Sequence, residues 1–312
     1  MNVAPRSIDA YLKQLRAALT NQDPALIQDA LYDAEEYLRA EVAAHAGKSE
    51  ADVLELIAST YGAPEEVATA YCDTEAKVKA ALRSVLPARA QGSALARFFS
   101  VFSDPRAYSS LFFMLLSLAT GIVYFTFAVT GMSLSFGLAI LVIGVPFFLA
   151  FIGVARVISL GEGRLLEAIT GERMPRRPVH PRADQSFMQR LMSMLSDSRT
   201  WSTLAYFVLM LPLGIAYFTI AVVSLSIGVS LTFWPLAAFA DRLGWLHFTI
   251  DGERVQYLNF HPGWFGEPLA LAVMCLFGII LLTTLMHFAR GIGRTHARLA
   301  KVMLVPVPEA TT

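Results

Sequence analysis

Four side chains between Asp241 and Glu267 are of types that bind a divalent cation: His247, Asp251, Glu253 and His261 offer two imidazoles and two carboxylates. Their spacing matches no established metal site. The competing reading is a solvated outer loop whose Trp245, Trp264 and Phe265 sit in an interfacial aromatic belt. Other chemistry-bearing residues are sparse. His287 precedes Arg290 by three residues and reads either as a titrating group or as an interfacial histidine with a local partner. Gly161-Glu162-Gly163 precedes a helical pattern and reads as an anion-binding turn or, alternatively, as a bend of the chain at a bilayer surface. No glycine-rich phosphate loop, HExxH pattern or metal-spaced cysteine pair is present, and Cys72 and Cys275 read as reduced and structural. The expectation is therefore no catalysis, no bound metal and no cofactor.

The elements that would position these groups are mostly membrane helices. The chain has 312 residues, 55% of them hydrophobic. There are 49 consecutive uncharged residues between Arg106 and Arg156, 41 between Arg199 and Asp241 and 22 between Glu267 and Arg290. About 20 such residues suffice to cross a bilayer as a helix. No Asp, Glu, Lys or Arg falls inside these runs, which removes the groups that proton relays and ion-coupled carriers need.

One stretch occurs twice at a fixed offset of 93: Arg97–Val129 and Arg190–Val222 share 16 of 33 positions, including Ser103/Ser196, Asp104/Asp197, Arg106/Arg199, Tyr124/Tyr217 and Thr126/Thr219. A weaker echo at offset 134 matches Ala155-Arg156 to Ala289-Arg290 and Arg164-Leu165 to Arg298-Leu299. The paired tyrosines and threonines read as interhelical hydrogen bonds or as the lining of a lipid cavity, and Ser117 with Gly121 fits a close helix contact. Leu111–Thr130 is expected to cross, Gly131–Ser135 to turn, and Leu138–Ala155 to return. Leu165, Leu166 and Ile169 are expected to lie as a short helix on the bilayer surface. Residues 225–240 are expected to be re-entrant or interfacial, because parallel repeats keep one orientation and because Arg290, Arg294, Arg298 and Lys301 mark the tail as cytoplasmic. Arg106, Arg156, Arg199 and Arg290 are then membrane-anchoring residues at the inner surface.

The front of the chain differs. Residues 1–80 hold 14 acidic and 7 basic side chains, a balance of −7 that leaves +7 for the remainder. Nothing at the N-terminus resembles a signal peptide, so this part is expected in the cytoplasm. Apolar residues at helical spacing, Asp23-Pro24, Ser49 with Asp52, and Pro64 after Gly62 mark four short helices. Asp29, Asp33 and Glu36 fall opposite the Ile27, Leu31, Leu38 stripe and are the candidate partner-binding residues. The cationic remainder suits anionic lipid better than nucleic acid.

Tyr32-Asp33-Ala34-Glu35-Glu36-Tyr37, Gly47-Lys48-Ser49-Glu50 and Tyr61-Gly62-Ala63-Pro64-Glu65-Glu66-Val67-Ala68 resemble the HAAS signalling domain of bacterial membrane proteins over residues 7–71. The departure is Ala63, where the family usually has Asp or Ser. Residues 97–300, through the SD-x-R start, Gly-Ile-x-Tyr-Phe-Thr and the Arg-Leu segments, resemble the bacterial "Putative sensor" membrane domain found in front of histidine kinases. These resemblances imply signalling without a catalytic domain, beside a PadR-like transcription regulator. The expected organisation is an all-α chain: a cytoplasmic helical bundle (1–82), a linker (83–97), a duplicated transmembrane domain (98–305; repeats about 97–170 and 190–304) and a tail (306–312). It has four crossings with both ends inside the cytoplasmic membrane. The function so read is a membrane sensor relaying an envelope or lipid state through its helical domain to a regulator, with a homo-oligomer open. The alternative is a transporter or an accessory subunit of a membrane complex.

Overall fold

Asp23 accepts a hydrogen bond from Ala25 N through Oδ1 (2.9 Å), and Pro24 lacks the N–H that a first turn leaves unpaired; together they start α2 (Pro24–Ala44). The computed structural model describes residues 5–45, 47–84, 93–140, 143–175, 192, 194–245, 249–250, 253–254 and 263–305. The other helices of the front domain begin by the same local logic. Ser7 caps α1 (Ile8–Ala18), Ser49 and Asp52 form a capping box on α3 (Glu50–Ala58), and Pro64 opens α4 (Pro64–Ser84). Gly47 and Gly62 take φ of 111° and 101°, a region that side-chain-bearing residues avoid. Leu15, Leu19, Ala34, Leu38 and Val53 are fully buried in one core whose members all come from residues 8–72. Tyr11 Oη donates to the Gly62 carbonyl (2.9 Å), and Tyr37 stacks on Tyr61 at 4.4 Å.

Beyond Ser93, α5 (Ala94–Phe99) and a 3-10 turn (Ser100–Ser103) lead into α6 (Pro105–Ala139), followed by α7 (Gly144–Thr170), α8 (Ser198–Arg242) and α9 (Gly263–Leu304). A two-residue antiparallel hairpin, Thr249–Ile250 with Glu253–Arg254, lies between α8 and α9. Helices α6 to α9 are each long and apolar enough to cross a bilayer, four candidate spans among the described residues. Phe112, Val123, Phe233, Leu276 and Phe277 point outward on them, mostly exposed, as lipid-facing side chains do. The chain is an all-α, multi-pass membrane protein with a small helical domain in front.

Three local expectations are corrected. The first hairpin does not turn at Gly131–Ser135: α6 runs helical through both to Ala139, the Phe151 ring lies where a Cβ on Gly131 would stand, and Ser135 Oγ donates a hydrogen bond to the Gly131 carbonyl (2.7 Å). Gly144, at the start of α7, comes so near the end of α6 that a Cβ there would strike the backbone of Leu138 and Ala139. Leu165, Leu166 and Ile169 belong to the last turns of α7, with no separate surface helix. Residues 225–240 form no separate re-entrant element; they continue α8 through Pro235, as a crossing helix tolerates.

By contacts the chain forms two units, Met1–Arg89 with Phe127–Phe207 and His296–Thr312, and Ala90–Thr126 with Val208–Thr295. In the second unit the duplicated helices touch with least separation where side chains are absent. A Cβ on Gly121 would lie 2.6 Å from the Met210 carbonyl oxygen, and one on Gly214 would strike the Ser117 backbone. Phe113 packs beside Tyr217 at 6.5 Å. Residues 113, 117 and 121 of α6 thus face 217, 214 and 210 of α8: the two copies pack antiparallel along this contact, where one shared orientation was expected. The stripe of Ser117, Gly121 and Gly214 lets the backbones approach, and packing of this kind drives association where lipid is as apolar as the helices. Between α8 and α9, Gly278 lies against the Thr232 backbone and hydroxyl, and Gly228 makes room for the Leu282 side chain.

Candidate functional site

The first unit holds a junction where the ends of two membrane helices grip the front domain. Thr170 closes α7, and Gly171 in the left-handed region (φ 72°) turns the chain, its N–H donating to the Glu167 carbonyl (2.8 Å). That turn delivers Arg173 between α2 and α4, where the guanidinium pairs with Asp29 Oδ2 (3.1 Å) and with Glu75. Met174 packs next to it against Gly163. From the end of α9, Lys301 Nζ reaches Asp23 Oδ2 (2.6 Å) and Glu172 Oε1 (3.3 Å). Both cations are only 16% exposed, so these pairs are largely withdrawn from water. Tyr71 Oη donates to Asp33 Oδ2 (3.0 Å), tying α4 to α2 beside the junction. Burial, reinforced by that bond to Asp33, pushes the Tyr71 hydroxyl well above its ordinary pKa; burial does the same to Tyr11 and also raises Tyr61.

Behind the junction lies a buried polar trio. Tyr206 Oη of α8 donates to Glu162 Oε1 of α7 (2.9 Å) and lies 3.0 Å from His296 Nε2 of α9. All three are at most 1% exposed. Polar side chains so placed knit three helices, because each finds a partner that water no longer supplies.

The duplication reappears as chemistry. Asp104 Oδ1 accepts from Arg106 N and Asp197 Oδ1 from Arg199 N, each at 3.0 Å, so both cap the start of their helix. The second oxygen of each holds an arginine from the other copy: Asp197 with Arg156 (3.1 Å) in the first unit, Asp104 with Arg290 (2.9 Å) in the second. Tyr108 and Trp201, also equivalent, each donate to a carbonyl six residues back.

Among the residues expected to bind a partner, Asp29 is buried under Arg173, Asp33 is half-buried on Tyr71 and Glu36 is exposed. They do not form one open face, because α2 turns Asp29 toward the membrane helices. Arg106 and Arg199 are half-buried at their helix starts, and Arg156 and Arg290 are the cross-copy partners just described. Glu253 lies in the small hairpin, while His247, Asp251 and His261 fall outside the described residues. No cluster of three or more His, Cys, Asp or Glu suited to a metal occurs among the described residues. His287 meets the Phe98 carbonyl (2.9 Å) and stacks on its ring. Gly161-Glu162-Gly163 is no bend: the helix continues and supplies Glu162 to the trio.

The sequence did not single out Arg173, Tyr206 or His296, and it read Lys301 only as part of a cationic tail and Glu162 only as part of Gly161-Glu162-Gly163. One signal was present: Glu162 and His296 stand at the offset of 134 that links Ala155 to Ala289.

Residues 10–70 match the HAAS family profile, and residues 113–304, more than half of the chain, match the family described as Putative sensor. The chain belongs to the Putative sensor family. No curated protein and no solved structure matches it. Sensor and HAAS regions in one chain give this membrane protein a signalling role.

Proposed function

We propose that this sensor-family protein relays an envelope or lipid state across the cytoplasmic membrane to a cytoplasmic regulator, of the PadR-like type that the HAAS resemblance implies, without catalysis of its own. The observation that supports this reading is the junction: α7 and α9, both candidate spans, end in Arg173 and Lys301 on the acidic helical domain. A change in tilt or spacing of the membrane helices alters those pairs directly, and a change at the domain acts back on the helices by linkage. Anionic headgroups near the helix ends compete for the same cations.

Full-length protein reconstituted in phosphatidylcholine, with and without phosphatidylglycerol, tests this by hydrogen exchange. Exchange in α2 and α4 is expected to rise when anionic lipid is added. Identical exchange in both lipids, at low and high salt alike, would sink the reading.

A further inference from the structure

What the covered face of the helical domain accepts once it is free follows from what covers it now, an inference that rests on the signalling reading above. Asp23, at the start of α2, Asp29, nearly two turns further on, and Glu75, in α4, are engaged by cations from outside the domain. Arg173 bridges Asp29 and Glu75 with two different guanidinium nitrogens, a planar fork matched to paired carboxylates. Lys301 adds a point charge at Asp23. Glu172 also stands 3.3 Å from Lys301 Nζ, so the lysine keeps an anionic neighbour when Asp23 is given up. That arrangement lowers the cost of release on the membrane side and leaves on the domain a set of carboxylates already spaced for a guanidinium fork and an ammonium.

We propose that Arg173 and Lys301 are an internal occupant of a cation-accepting face, and that a soluble partner presenting arginine or lysine side chains takes their place on Asp29, Glu75 and Asp23. The front domain is then self-inhibited in one state of the membrane helices and open to a basic segment in the other. Asp33 is not part of this face, being engaged with Tyr71, which explains why the acidic run of α2 is not used as a whole.

The test uses the full chain in phosphatidylcholine nanodiscs and a fluorescent hexa-arginine peptide as probe. The double variant Arg173→Gln/Lys301→Gln should bind the peptide roughly tenfold more tightly than the unaltered protein, as two partly shielded competing pairs are removed. Adding Asp29→Asn and Glu75→Gln should return affinity to the starting level. Equal binding by the unaltered protein and the double variant overturns the proposal, as does tight binding that survives loss of Asp29 and Glu75. In the unaltered protein, independently of any variant, saturating peptide should raise exchange at residues 172–173 and 301; no change there also overturns it. If phosphatidylglycerol raises α2 exchange while the double variant gains no affinity, the cation-accepting face falls and the signalling reading stands. If the lipid response is missing while the gain in affinity appears, the face stands and the lipid-sensing reading falls.

Discussion

The front domain and the membrane half solve the same packing problem with opposite materials. In the front domain large side chains converge: Leu15, Leu19, Leu38 and Val53 fill a core that water drives together. In the membrane half side chains are removed where helices meet: Gly121 and Gly214 admit the backbone of the other copy, and between α8 and α9 Gly278 admits the backbone at Thr232 while Gly228 makes room for the Leu282 side chain. Lipid gives no hydrophobic push between helices, so close backbone approach and shared polar groups take over. The comparison teaches where each half is vulnerable: loss of volume harms the first, gain of volume harms the second.

Four outcomes break or sharpen that comparison. The largest is all-or-none. With Cys72 and Cys275 replaced by serine, a chain carrying Phe113→Cys and Tyr217→Cys should be joined by a short bismaleimide, and one carrying Tyr124→Cys and Tyr217→Cys should not. The reverse pattern on a gel would mean that the copies pack in parallel.

Next, Leu38→Ala should lower the stability of the front domain by about 2–5 kcal/mol. Gly214→Ala should cost about 1–3 kcal/mol in the membrane half, because the obstruction is backbone and cannot swing away. Denaturation followed separately by domain proteolysis and by detergent-resistant helicity checks both; a neutral Gly214→Ala would remove the contrast.

Smaller still, Asp104→Ala and Asp197→Ala should each cost about 0.5–2 kcal/mol through the lost cap, and by similar amounts, since the two sites are built alike. The exchange Asp104→Arg with Arg290→Asp should recover only the ion-pair share of the loss. Thermal unfolding that differs widely between the twin alanine variants would show that the copies have diverged in energy as well as in sequence.

The smallest effect is Tyr71→Phe, about 1 kcal/mol at neutral pH. Tyr71 has its folded pKa raised, so its contribution is complete below the unfolded tyrosine value near about 10 and disappears as pH climbs past the folded one. Guanidinium melts in alkaline buffers should therefore fall less steeply for the phenylalanine variant, with Tyr11 and Tyr61 accounting for the decline that persists.

What the sequence made legible was local or periodic. Asp23-Pro24, the Ser49/Asp52 box and Gly62 before Pro64 place three helix starts within a few residues, because a cap is settled by its neighbours. Long uncharged runs placed α6 to α9. Glycine was the ambiguous letter: Gly131 was taken for a turn, and its lack of a side chain serves Phe151 instead. The stretch 225–240 reads as a separate piece when repeat orientation and the arginines of the tail are weighed, and no local signal says that the helix runs on through Pro235 and Asp241. The partners of Asp104 and Asp197 were out of reach for another reason. Equivalence between copies was visible at offsets 93 and 134, but which copy's arginine meets which aspartate depends on how the copies face each other, and no spacing within one chain encodes that.

Asp23 uses its two oxygens for two different purposes: Oδ1 holds the first turn of α2 and Oδ2 holds Lys301. A pull on the end of α9 is therefore felt first as a loosening of that opening turn, ahead of any bodily movement of the domain. The signal would leave the membrane as fraying, a change in how often a few residues around Pro24 are helical, and its size would be governed by the residue-by-residue propagation of the helix end and not by leverage.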